Sequence, residues 1–175
     1  MGLSVWRVAK PAKFSMARID AKMEQLSRPG TTAKDVLRVL GEPRKYAWGR
    51  ETFGKNSLPE TYVAAYPAGV SVLISEGRVV ELRSEGGKSN VGFAYRGRIH
   101  LGSSLEEVLE AVGPPSQTVS GKPLDFAGGQ VEDGVLYRDI NGKEGDAYYS
   151  RPDQNIRCFF LKNNVAALYV TVAAR

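Results

Sequence analysis

The chain has 175 residues, of which 42% are hydrophobic and 25% charged, and a net charge of +5. These are ordinary globular values, and the length admits one domain or two small ones. A single cysteine, Cys158, and a single histidine, His100, exclude an internal disulfide, a cysteine-based zinc site and a multi-histidine metal centre.

The charge is uneven. Residues 1–55 hold twelve Lys/Arg against five Asp/Glu, a surplus of seven, and the rest of the chain is slightly acidic. A basic third of this kind is either a solvated face or a contact for an acidic partner, an anionic membrane or nucleic acid. No recognised nucleic-acid motif accompanies it, so nucleic acid is not expected as the partner. No apolar run approaches the roughly 20 residues that span a bilayer. Residues 1–14 lack the apolar centre of a secretory leader. The expectation is then a cytosolic chain, or an exported one whose leader lies upstream of Met1.

Residues 15–26 predict an amphipathic helix. Met16, Ile19, Met23 and Leu26 recur at spacings of three and four, with Ser15 to cap the start and Pro29-Gly30 to end it. A second helix follows, capped by Thr31 or Thr32, with Val36, Leu37 and Leu40 on its apolar face. Gly41 and Pro43 stop it. Residues 44–55 read as a basic loop with aromatic side chains. Three strands are expected next, at 62–66, 70–75 and 78–83, with a tight turn at Glu76-Gly77. In the third, Val80 and Leu82 are expected inward, and Glu81 and Arg83 outward. Residues 84–90 read as a flexible linker, and 91–99 as extended.

The order then repeats. Residues 30–43 read GTTAKDVLRVLGEP and residues 102–115 read GSSLEEVLEAVGPP. At a shift of 72, Gly30, Val36, Leu37, Gly41 and Pro43 meet Gly102, Val108, Leu109, Gly113 and Pro115. At a shift of 86, Val70, Val72, Ile74, Gly77, Val79 and Leu82 meet Ile156, Cys158, Phe160, Asn163, Val165 and Leu168. Each matched position has a physical task. Thr or Ser satisfies free helix N–H groups, an acidic residue complements the dipole, and Gly with Pro turns the chain away. The expectation is an α+β protein of two tandem helix-plus-antiparallel-sheet units. Residues 1–87 form the first. Residues 88–175 form the second, with one helix and an insertion near 119–147 that holds a strand at 135–140 and a turn at Asn141-Gly142.

The pattern G-(T/S)-(T/S)-x-x-(D/E)-V-L-x-x-(L/V)-G-x-P, followed by an aromatic segment and a hairpin, resembles the SmpA/OmlA envelope lipoproteins and the β-lactamase inhibitory proteins. The resemblance covers residues 15–83 and 98–172. It implies a binding or envelope-assembly role without catalysis or cofactor, and a periplasmic or secreted location in a bacterium. The chain departs from those families. It has no lipid-attachment cysteine near the start, and one cysteine cannot form the disulfides of the inhibitory proteins.

Among chemically distinctive residues, His100 reads as part of an exposed loop and Cys158 as core, since it falls in the inward row Ile156, Cys158, Phe160. If that row faces the core, then Phe159, Leu161 and Tyr169 face the other way, giving the second unit a sheet apolar on both faces. Such a face is covered by the insertion, by another copy or by a partner protein. Tyr46, Trp48 and Phe53 form a second candidate patch, with core as the other reading of Trp48. The rival function is a hydrolase or small-ligand protein using Asp139, Asp146 and Tyr148 of the insertion, which would require a deep polar pocket there.

Overall fold

The computed structural model describes residues 16–85, 91–113, 136–138, 147–151, 155–161 and 164–172. Among them are three helices: α1, Met16–Leu26; α2, Ala33–Leu40; and α3, Leu105–Val112. Nine strands accompany them: β1, Lys45–Trp48; β2, Glu51–Phe53; β3, Thr61–Ala65; β4, Val70–Ser75; and β5, Arg78–Glu85. The remainder are β6, Leu136–Arg138; β7, Ala147–Arg151; β8, Ile156–Leu161; and β9, Asn164–Thr171. They form one antiparallel sheet in the order β2-β1-β3-β4-β5-β9-β8-β7-β6. The fold class is α+β, and no described helix is long and apolar enough to cross a membrane.

The helix ends obey local chemistry. Thr32 caps α2 and Ser104 caps α3, each in a complete capping box, with Asp35 or Glu107 reaching back to the cap N–H. Gly41 and Gly113 end these helices at φ 82° and 84°, where only glycine is unstrained, and donate to the Leu37 and Leu109 carbonyls. The caps then tie to the strands. Val79 N–H donates to Thr31 O at 2.9 Å, and Val165 N–H to Ser103 O at 2.8 Å.

The expected hairpin at Glu76-Gly77 is present, both residues having positive φ (50° and 73°), the signature of a primed turn. The inward rows hold. Val70, Val72, Ile74 and Leu82 are buried on one half, and Ile156, Cys158, Phe160 and Leu168 on the other. Ile19, Met23, Leu26, Val36, Leu105, Val108 and Val112 from the three helices join them in one core.

Val80 is corrected. It is exposed and Val79 is buried. The reason is a bulge: Leu73 pairs with Glu81 but Ile74 pairs with Val79, leaving Val80 as the extra residue. A second bulge at Phe159/Phe160 leaves Ala166 in the same position, 86 residues later.

Further differences follow from pairing. The basic loop at 44–55 is the β1–β2 hairpin, whose strands are too short to announce themselves by alternation. The strand expected at 62–66 is β3, one residue earlier. Residues 84–85, expected in a linker, continue β5, because β9 lies alongside and pairs Ser84 with Leu168 and Glu85 with Ala167. Residues 91–99 are not simply extended. Tyr95 and Ile99 exchange backbone hydrogen bonds around Arg96 and Gly97, both at positive φ. Of the insertion, β6 and the start of β7 are described. Ser15, the boundary at 87/88, Pro115 and the turn at Asn141-Gly142 lie outside the described residues.

Candidate interaction surface

The core side of the sheet carries the helices. The opposite face is set by alternation along each strand and by register across strands. One row of direct cross-strand partners runs Ala65, Ser71, Arg83, Tyr169, Arg157. The next runs Val63, Leu73, Glu81, Thr171. Glu85, Ala167 and Phe159 make a third.

Tyr169 is the hub. Its direct neighbours on either side are Arg83 and Arg157, and each guanidinium carbon lies 5.3 Å from the ring centroid. Phe159 meets the same ring edge-on, 5.0 Å between centroids at 75°. The phenol donates to Glu85 Oε1 at 2.9 Å. Burial, reinforced by the Glu85 charge, pushes the phenol's pKa up, so it stays a neutral donor.

Glu81 organises the cations. It is only 4% exposed, although no described helix covers this face. Arg83 Nε donates to its Oε1 at 2.7 Å, and the Arg157 guanidinium donates to Oε2. A carboxylate so placed holds both arginines in fixed geometry beside the ring. Half-buried Val63, Leu73 and Ala167 surround the cluster. The arrangement offers two planar cations, an aromatic edge and an apolar margin, all ordered in advance.

The expected site residues therefore separate. Phe159 and Tyr169 are brought together on this face. Leu161 ends β8, and its side chain is outside the described set. Tyr46 is corrected to core: it is buried, its ring stands edge-on to Tyr62 at 5.7 Å, and its hydroxyl donates to Glu42 Oε2 at 3.3 Å. Phe53 packs half-buried against the same core. Trp48 alone of that group is exposed, at 47%. It lies in β1, separated from β5 by β3 and β4. Asp139 and Asp146 lie outside the described residues. Tyr148 is in β7 opposite Phe159 by register.

Sequence reading missed Arg83, Arg157, Glu81 and Glu85 as members of the cluster. Their alternation in β5 and β8 marks them as outward; the β8–β9 hairpin sets Arg157 beside Tyr169, and the β5–β9 pairing brings Glu81, Arg83 and Glu85 to the same ring.

Other chemically distinctive groups have structural surroundings. His100 Nδ1 lies 2.8 Å from Leu101 O, and its backbone N–H donates to Ser103 Oγ. Cys158 is fully buried, and burial pushes its thiol up, keeping it protonated. On the helix side, a groove of about 540 Å³ runs between α1 and residues 93–97, floored by Met23, Leu82, Phe93 and Val170. Asp20 Oδ1 spans one end, accepting from Ala94 N–H at 2.8 Å.

No protein-family model matches the chain, and no curated protein matches it. Among solved structures it is similar to an extracellular protein containing an SCP domain from Bacillus anthracis str. Ames, at 10% identity and TM-score 0.48. That likeness covers 98% of this chain and 50% of the other, so the chain spans about half the length of that protein. It is also similar to a DUF4309 family protein from Bacillus subtilis subsp. subtilis str. 168, at 13% identity and TM-score 0.42, over 85% of this chain and 82% of the other.

Proposed function

We propose that this chain is a non-catalytic protein-binding module of the bacterial cell envelope, built from two divergent copies of one helix-plus-sheet unit. The partner sits on the sheet face around Tyr169. The observation that carries the reading is the Arg83–Tyr169–Arg157 row, clamped by Glu81 on a face that no described helix covers. Arg and Tyr dominate binding energetics at protein interfaces, and groups already fixed lose little entropy on association.

The duplication is supported by equivalences that chance does not demand. Arg83 and Tyr169 are 86 residues apart and pair directly, so a local two-fold between the units passes through that pair. Leu82 with Val170 then maps onto Leu168 with Ser84, which are also partners. The bulges recur at the same shift of 86, the caps recur at a shift of 72, and each cap is tied to its own strand by the matching hydrogen bond. The envelope setting rests on the resemblance to the SmpA/OmlA and inhibitory-protein pattern.

The test is a photocrosslinker placed in turn at Phe159 and at Lys34, an exposed position on α2. One discrete partner captured from Phe159 but not from Lys34, and lost on Tyr169→Ala with the fold intact, supports the reading. Identical capture from both positions, or none from either, ends it.

A further inference from the structure

We propose that the β1–β2 hairpin is a peripheral membrane contact, in which Trp48 enters the interface and basic residues meet anionic lipid headgroups. This surface is separate from the sheet face around Tyr169 and does not depend on it.

Trp48 is the most exposed large hydrophobic side chain among the described residues. It ends β1, and Gly49-Arg50 form the two-residue turn into β2, with Gly49 at φ 60°. Trp48 shares a face with Tyr46 but lies beyond the end of the core, opposite Glu51 by register. Arg44, Lys45 and Arg50 are exposed, and none pairs with a carboxylate among the described residues. Lys55 is tied to Glu42 at 2.6 Å. Glu51 is thus the one carboxylate of the hairpin set against three unengaged cations.

The surroundings of the ring decide between occupants. A protein hot spot sits within an apolar patch that excludes water. Here residues 49–52 and 54–57 are all exposed, so no such patch surrounds Trp48. An exposed indole next to an exposed turn, on a hairpin that carries three unengaged cations, matches the interface of a bilayer. There the ring lies at headgroup depth and Lys/Arg reach phosphates. The surplus of positive charge across residues 1–55 adds attraction of the same sign. Such a contact is weak, reversible and sensitive to salt.

The test is co-sedimentation with vesicles of equal parts phosphatidylglycerol and phosphatidylcholine, against pure phosphatidylcholine. A Trp6→Phe background lets Trp48 alone report by fluorescence. Binding to the anionic vesicles, a blue-shifted Trp48 emission and loss of both with rising salt are expected. Arg44→Gln, Lys45→Gln and Arg50→Gln each weaken binding about fivefold. Trp48→Ala weakens it about tenfold. All four positions are exposed, so circular dichroism should be unchanged. Phe159→Ala with Tyr169→Ala should leave vesicle binding intact. Equal binding to neutral vesicles, no binding at low salt, or full binding by the triple Gln variant overturns the proposal. So does Trp48-dependent binding to polyglutamate without vesicle binding, which would assign the turn to an acidic polypeptide.

Discussion

The stretches 70–85 and 156–171, related by a shift of 86, agree on one face and disagree on the other. Toward the helices, Val70, Val72, Ile74, Val79 and Leu82 stand where Ile156, Cys158, Phe160, Val165 and Leu168 stand, and all ten are buried. Away from the helices, Ser71, Leu73, Glu81, Arg83 and Glu85 stand where Arg157, Phe159, Ala167, Tyr169 and Thr171 stand. Only Leu73 and Phe159 are alike, both large and apolar; the other four pairs differ in charge or polarity. The shared face is what packing demands of any strand pair laid against helices. The divergent face is where complementary groups were free to meet across the β5–β9 junction, and each half supplies what the other lacks. The acid Glu81 comes from one half, and the ring of Tyr169 and the Arg157 guanidinium from the other.

The largest effects should come from the shared face. Phe160→Ala is expected to cost about 3–5 kcal/mol and its counterpart Ile74→Ala about 2–5 kcal/mol, each leaving a cavity in a closed core. Urea denaturation of both variants measures this. Because β5 and β9 join the halves in one sheet, both should unfold in a single transition. A second transition in either variant would mean that the halves unfold separately.

Where the halves differ on the core side, a glycine records it. Ser84 stands where Val170 stands, and its Oγ accepts from Phe93 N–H at 3.2 Å. A Cβ on Gly92 would fall 1.6 Å from that oxygen and 3.1 Å from Leu101 Cδ1, at a φ of 63°. Gly92→Ala is therefore expected to destabilise by about 3 kcal/mol, the sum of overpacking and backbone strain. Ser84→Ala in the same chain relieves the contact with Oγ but not the strain, so the double variant should recover part of the loss. Full recovery would show that strain at Gly92 is negligible.

On the divergent face, Glu81→Gln leaves two guanidiniums without their shared anion. About 2 kcal/mol of destabilisation is expected, less than for a wholly buried pair because both arginines retain contact with water. The loss should shrink when Arg157→Ala accompanies it. Equal losses in both backgrounds would show that Glu81 acts through burial and not through Arg157.

Much of this was legible in the sequence, for reasons that are local. Gly41, Gly113, Thr32 and Ser104 act within one turn of chain, so their roles follow from neighbours in sequence. The inward rows follow from period-two alternation. Val80 shows the boundary of that logic: a bulge shifts the period by one, and nothing in RVVELR says where. The Tyr169 cluster needed the pairing of residues 81–85 with 167–171, a contact across more than 80 positions that no local signal encodes. Tyr46 and Trp48 illustrate the same point within one strand, since Tyr46 pairs with β3 and Trp48 lies past the end of that pairing.

The smallest effects belong to the two caps, where the halves are most alike. Thr32→Ala and Ser104→Ala each remove one side-chain acceptor from a helix start and should cost about 1 kcal/mol. At the α2 cap the acid response tells which donor holds the carboxylate. The Asp35 carboxylate is held below the ordinary aspartate value of 3.8, first by the Thr32 backbone N–H at 2.9 Å, then by the Thr32 hydroxyl and Arg38. A depressed carboxylate contributes stability that is fully present above pH 3.8 and is lost as pH falls through the lowered value. The stability gap between wild type and Asp35→Asn should thus be constant near neutrality and close in acid. Thr32→Ala should keep most of that pH dependence, because the backbone donor that contributes most is untouched. If instead Thr32→Ala flattened the acid limb as fully as Asp35→Asn, the hydroxyl and not the backbone N–H would be the group that holds the carboxylate charged.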